Sequence, residues 1–348
     1  MNKKDTLIKY GFNQDQVHKI LSSYIIQKEK DDNFEEKVKS TIEYELQYLS
    51  YMDILKQIVR NPSLITYSNA KLEDNRNNFR SLYNDDEITS MYRKEAKLQS
   101  LSKEKYNKRN SLFLSLNYSL IEIKKMFLTL PQLYYYDEQN ILDRRDKLKK
   151  IGYNEQEINK MSVLFPQIYS LSEEHITSII DYLKENNYTN EEIHIITTSF
   201  PAIFSKYNNK SDKNKKEKKI TRIENTKLLF LKLNFTEEEF KYIFIKCPSI
   251  ISYDQQNLEK KLLFFIENNE KEFVLNNPNH LKQSYITSYA RKLFLKNKGI
   301  KLSHNNFKII FLAERDFKRK FKVTKDEVIK TYKKRLSKDT STCQVHTK

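Results

Sequence analysis

The side chains in this sequence that are spaced to do chemistry are cations, and the chemistry they suit is neutralisation of phosphates rather than bond-making. Arg315, Lys318, Arg319, Lys320 and Lys322 form the densest cluster. Arg291, Lys292, Lys296 and Lys298 recur at helical spacing on one segment just before it. Two further pairs, Arg144 with Arg145 and Lys260 with Lys261, lie earlier in the chain. Lysine acts on a phosphate as a point charge. Arginine also carries a planar fork of donors that can read a base edge, so in a chain with 51 lysines and 12 arginines the arginines are the informative residues. Arg315 and Arg319 are the expected specific readers, and the remaining cations are expected to form a stripe of phosphate contacts. The competing expectation is that about half of these side chains are ordinary solvated charges.

The distribution of charge supports the first expectation. The 348 residues carry a formal net charge of +17. Residues 282–348 hold 19 Lys/Arg against 5 Asp/Glu, and residues 206–227 hold 9 against 3, so these two segments carry the whole excess. A compositional bias would scatter its lysines. A field of one sign gathered toward one end favours a polyanionic partner.

Other chemistries find little support. With only three glycines there is no phosphate-binding P-loop, dinucleotide fingerprint or nucleophile elbow. No HExxH or CxxC spacing offers a metal site, and His18 and His194 share one position of a repeat, as helix-surface residues would. No cofactor, no metal and no enzymatic activity are therefore expected. Cys247 and Cys343 cannot build a disulfide framework, so the chain reads as intracellular. No apolar run approaches the ~18 residues of a membrane span, and no presequence is recognised at the N-terminus. Tyr134, Tyr135 and Tyr136 invite base stacking, but their repeat positions leave Tyr135 as the one expected exposed ring.

Positioning these cations falls to a repeat. The prolines stand at 62, 131, 166, 201, 248 and 278, with two successive gaps of 35. Ala96 occupies the proline position of a further unit, and the longer gap between Pro201 and Pro248 is accounted for by the basic, low-complexity YNNKSDKNKKEKK. Twelve residues before each proline position stands a helix-capping residue, with a side chain able to bond back three residues later. The pairs are Asn13/Gln16, Ser50/Asp53, Asn84/Glu87, Ser119/Glu122, Asn154/Glu157, Thr189/Glu192 and Thr236/Glu239. An apolar or aromatic residue precedes each cap, and Gly11, Asn117, Gly152, Asn187 and Asn234 stand one residue earlier, where a left-handed helix stop is tolerated. The proline ends the first helix, and a second cap (Ser68, Ser102, Asp137, Ser172 or Asp254) starts a longer one. Neither helix can bury its apolar face alone, so the units must stack into an all-α, superhelical α-solenoid of about nine units. Because Ile141 and Leu148 face inward, Arg144 and Arg145 cannot both point into the core. Arg315 is expected to take the proline position of the last unit, followed by a final helix from Thr324 to about Arg335. The array is expected over 1–335 with a basic insert at 206–219, and a disordered tail over 336–348.

The units NYSLIEIKKMFLTLPQLYYYDEQNI, GYNEQEINKMSVLFPQIYSLSEEHI and NFTEEEFKYIFIKCPSIISYDQQNL resemble repeats of the mitochondrial transcription termination factor (mTERF) family. The segment YARKLFLKNKGIKLSHNNFKIIFLAERDFKRKF is similar to that family's C-terminal end. The resemblance implies a helical array whose basic groove binds nucleic acid, with double-stranded DNA favoured and RNA possible. It also implies a role in transcription and its termination, in transcript processing or in ribosome assembly, and a mitochondrial location. Without a recognised presequence, a cytoplasmic or nucleoid location stays open. The expected state is a monomer. A protein-docking solenoid is the alternative, and it would bind without sensitivity to salt.

Overall fold

A computed structural model describes residues 2–30, 32–205 and 217–332. Among them the secondary structure is helical throughout, without strands, and the chain forms two compact units, residues 1–173 and 174–348.

The same local chemistry builds each repeat. First helices such as Asp85–Lys94, Leu120–Thr129 and Glu237–Lys246 are ten residues long. Reciprocal capping boxes open them at Asn84/Glu87, Ser119/Glu122 and Thr236/Glu239, and likewise at Asn13/Gln16, Asn154/Glu157 and Thr189/Glu192. Asp53 is one methylene too short to close its box, so at Ser50 the hydroxyl accepts from the Asp53 amide and the return bond to the cap's own backbone N–H is missing. Each first helix ends because the residue before proline is driven out of the helical region. Leu130, Phe165, Phe200 and Cys247 have φ between −131° and −146°. A 3-10 turn beginning at the proline follows, as in Pro131–Tyr135 and Pro248–Ser252. Glu95 adopts φ −139° before Ala96, and the turn Ala96–Ser100 forms without a proline. Packing of the buried Ala96 and Leu98 holds the conformation there.

Second helices run from the next cap, as in Asn69–Arg80, Lys103–Ser115, Glu138–Ile151 and Gln255–Ile266. The five expected left-handed stops are all present, with φ between 61° and 114° at Gly11, Asn117, Gly152, Asn187 and Asn234. The reversal aims the following aromatic into the core, so Phe12, Tyr118, Tyr153, Tyr188 and Phe235 are buried. Repeats then lock to their neighbours polarly as well as by packing. Lys124 reaches Glu87 at 2.7 Å, Lys241 reaches Glu192 at 2.9 Å and Lys271 reaches Glu239 at 2.7 Å. In each case a lysine of one first helix, in its second turn at Lys124 and Lys241 and at its first residue at Lys271, grips the capping glutamate of the previous one.

The C-terminal register differs from expectation. The last 3-10 turn is Phe307–Phe311, so Phe307 and not Arg315 holds the proline position, and Arg315 lies in the first turn of the helix Glu314–Phe321. The physical reason is burial: Phe307, Ile310 and Phe311 pack beneath Phe264 and Phe265, whereas nothing apolar at Arg315 could seat a turn. The cap at Thr324 forms with Glu327 as expected. Residues 333–335 of the final helix and the proposed tail lie outside the described residues. So do residues 206–216 of the basic insert, while 217–219 already belong to the helix Glu217–Lys232.

Candidate functional site

In four repeats the second helix carries, thirteen residues after the first residue of a turn, a polar side chain bonded to the turn of the next repeat. In the first unit, Asn75 donates to the Gln99 carbonyl at 2.7 Å, and Arg109 donates to the Tyr136 carbonyl. In the second unit, Lys261 donates to the Leu281 carbonyl at 2.8 Å, and Arg291 donates to the carbonyls of Ile310 and Leu312 at 3.0 and 2.6 Å. The last carbonyls of a 3-10 turn have no partner within the turn, so a cation held there satisfies acceptors that would otherwise be buried bare.

This geometry corrects part of the sequence-based assignment. Lys261 and Arg291 are buried and engaged, and burial holds both below their usual basicity. Arg291 also bonds Glu314 at 2.9 Å and lies 4.1 Å from the Phe317 ring centre, which fixes the start of the Glu314–Phe321 helix. Arg145 is 1% exposed. Its guanidinium bonds Tyr118 at 2.9 Å, Asn159 at 2.8 Å, Tyr169 at 3.3 Å and the Glu155 carboxylate. These three cations are spent inside the protein and do not face a phosphate. Arg144 and Arg145 do diverge, as the inward-facing Ile141 and Leu148 require: Arg144 is half-buried.

The remaining cations reach solvent. Lys296 and Lys298 are exposed at the end of the helix Tyr285–Asn297, while Lys260 and Lys292 are half-buried, and burial lowers the basicity of Lys292. On the helix Glu314–Phe321 and at its C-cap, Arg315, Lys318, Arg319, Lys320 and Lys322 are all exposed. Buried Phe317 sets which face points inward. The 3.6-residue period then places Arg315, Lys318 and Arg319 together on the opposite face and turns Lys320 aside, and Lys322 follows as the left-handed C-cap of the helix, with φ 59°. Asp316 lies 3.2 Å from Arg319 and 3.8 Å from Arg315, and Glu327 lies within electrostatic reach of Lys318. The structure therefore gathers three of the thirteen sequence-assigned cations, Arg315, Lys318 and Arg319, on one outward helix face, pinned from below by a fourth, Arg291.

Some cations escaped the sequence reading. Arg76 is buried against Asp85 at 2.8 Å, with its guanidinium 3.5 Å from the Tyr48 ring centre. Arg109 belongs to the same set of turn-capping side chains. Their repeat position was the available signal. Lys301 and Lys308, which precede the C-terminal cluster in sequence, are exposed too, and no spacing marked them. Tyr135 is the exposed ring of its triplet at 40%, with Tyr134 buried and Tyr136 half-buried rather than in the core.

Among the described residues, no group of histidine, cysteine and acidic side chains is placed to hold a metal, and no helix is long and apolar enough to cross a membrane. Cys247 is fully buried, and burial raises its thiol pKa. No match to this chain is found among curated proteins. The model of the mTERF family matches residues 1–145, 127–208 and 148–318.

Proposed function

The chain belongs to the mTERF family, and from that premise we propose that it binds nucleic acid, double-stranded DNA in preference to RNA, and acts in transcription or its termination without bond-making chemistry of its own. One observation carries the reading: the outward face made by Arg315, Lys318 and Arg319, with Lys322 at the C-cap, on a helix whose inner face is anchored by Phe317 and Arg291. Three cations held on one rigid face meet successive phosphates without first losing the freedom of a loop. The two arginines carry the donor forks that discriminate base edges, and the lysines add charge without sequence information. Lys296 and Lys298 extend the cationic surface of the second unit. The protein acts as a monomer, in mitochondria by family likeness.

The test is binding of the purified chain to duplex DNA, structured RNA and single strands across a salt series. Affinity for the duplex is expected to fall by orders of magnitude between ~50 and ~200 mM salt. Replacing Arg315 and Arg319 together by Ala should reduce the slope of log K against log salt by about two. Binding that ignores salt would return the array to protein docking, and structured RNA displacing the duplex would move the reading to transcript processing or ribosome assembly.

A further inference from the structure

Tyr83 and Tyr118 each precede a helix cap, and their hydroxyls meet those of Tyr134 at 3.2 Å and Tyr169 at 2.8 Å in the following repeat. Tyr134 and Tyr169 each stand three residues after a proline, and at that position after Pro248 the chain carries Ile251. Tyr188 precedes the cap at Thr189 in the same way and packs against Phe244, but its hydroxyl is left without a protein partner. Tyr182, on the helix Glu173–Glu185, has no partner for its own hydroxyl either. Both residues are only 8% exposed, yet neither hydroxyl is sealed from solvent. A buried hydroxyl is costly to leave unbonded, so the opening that these two share is where a partner belongs.

That opening is a cleft of about 220 Å³ within the second unit. Ile223 of the helix Glu217–Lys232 and Phe240 of the helix Glu237–Lys246 give it apolar walls. The lysines around it are already committed. Lys227 pairs with Glu237 at 2.8 Å, and Lys241 pairs with Glu192 at 2.9 Å while donating to the Asn187 carbonyl at 2.7 Å. Three glutamates occupy the first turn of the helix Glu237–Lys246, which disfavours an anion. The Lys241 Nζ already lies 5.0 Å from the Tyr188 ring centre, which disfavours a second cation. Burial raises both phenols, Tyr182 to about 12, so each keeps its proton at neutral pH and presents a donor. Asn186, also at the cleft, spends its Nδ2 on the Tyr182 carbonyl at 2.9 Å and keeps its Oδ1 as an acceptor.

Two hydroxyl donors, one amide acceptor, apolar walls and no uncommitted cation define the occupant. We propose that this cleft binds a small uncharged aromatic carboxamide. Its carbonyl oxygen has two lone pairs and accepts from the Tyr182 and Tyr188 hydroxyls, its amide nitrogen donates to Asn186 Oδ1, and its ring lies against Phe240 and Ile223. A carboxylate of the same shape brings a negative charge to a site already edged by glutamates. A ketone of the same shape keeps the acceptor and has nothing to give Asn186. The cleft shares no residue with the C-terminal cationic helix, so this inference stands apart from duplex binding.

The test is ligand-observed NMR titration of the full chain with benzamide, benzoate and acetophenone at fixed ionic strength. Benzamide is expected to bind about tenfold more tightly than benzoate and about fivefold more tightly than acetophenone, the ketone. Tyr182→Phe and Tyr188→Phe each keep the ring and remove one donor, and each should weaken benzamide binding about fivefold. Asn186→Ala alters a half-exposed residue, so it reads the amide contact even if a Phe variant fails to fold, and it should abolish the preference over acetophenone. No benzamide binding by wild type, equal binding of benzamide and benzoate, benzamide affinity unchanged in both Phe variants, or a preference over acetophenone that survives Asn186→Ala would overturn the proposal. Duplex titrations on the same variants are expected to be unchanged, and loss of duplex binding by wild type with benzamide binding intact would sink only the proposed function.

Discussion

Two helices carry adjacent arginines or lysines and use them in opposite ways. In Glu138–Ile151, Arg145 is sealed beneath the following repeat and bonded to Tyr118, Asn159 and Tyr169. In Glu314–Phe321, Arg315 and Arg319 keep side chains 89% and 76% exposed, with a single carboxylate between them. The residue type is the same, and the difference lies in what covers the helix. Where the next repeat packs over a cation, the desolvated guanidinium must find acceptors and becomes a part of the stacking interface. Where the face stays open, water screens the charge, its contribution to stability is small, and it remains available to a partner. Positive charge in this array thus has two separate jobs, holding repeats together and presenting a surface.

The most damaging substitution should be Arg145→Ala, which removes several bonds at once from a buried network. We expect a loss of about 3 kcal/mol in urea-unfolding stability, against less than about 0.5 kcal/mol for Arg315→Ala. Equal costs at the two sites would erase the distinction between them.

A second expectation concerns pH. Glu45 is 2% exposed, and burial raises its carboxyl from near 4.5 to about 7, with Arg76 opposing the shift. The folded state therefore holds this proton more tightly than the unfolded chain does. Stability from this group is full below about pH 4.5, declines as pH rises toward about 7, and is lost above it. Glu45→Gln should flatten that slope and add up to about 3 kcal/mol at pH 8, read from unfolding at several pH values. An unchanged pH profile would show that the interior solvates this carboxylate after all.

On the open helix the effects should appear in binding and not in stability. Lys318→Ala and Lys322→Ala are each expected to weaken duplex binding severalfold, uniformly across sequences, and to lower the salt slope by about one. Melting temperatures should stay within a degree or two of wild type. The smallest effect belongs to Ala96→Pro. Glu95 already has the extended φ of −139° that a following proline demands, so the substitution should stabilise by about 0.5 kcal/mol by restricting the unfolded chain. A destabilisation would mean that the Ala96 turn differs from its proline-bearing counterparts.

Much of the architecture was legible along the chain because it is local. Caps, left-handed stops and helix-ending prolines act within four or five residues, and they recur often enough for one unit to calibrate the next. Even the exception followed from chemistry, since the short side chain of Asp53 leaves its capping box half closed. The same reasoning misplaced the last turn, because at Phe307 no proline marks it and the decision rests on how Phe307 and Phe311 pack against Phe264 and Phe265. The cationic residues were legible as a set and only in part as individuals. Arg145, Lys261 and Arg291 look in sequence like the cations that remain outside, and their partners lie 10 to 27 residues away.

By itself, then, the order of amino acids determined where helices start and stop, that these units must stack, and that positive charge gathers toward one end. Only tertiary structure decided which cations are consumed by the stacking and which are left facing water. Helix ends are set by short-range hydrogen bonds that the local sequence either supplies or lacks. The fate of a charge depends on whether another repeat removes it from solvent, and that is a property of the packed array and not of the neighbouring residues.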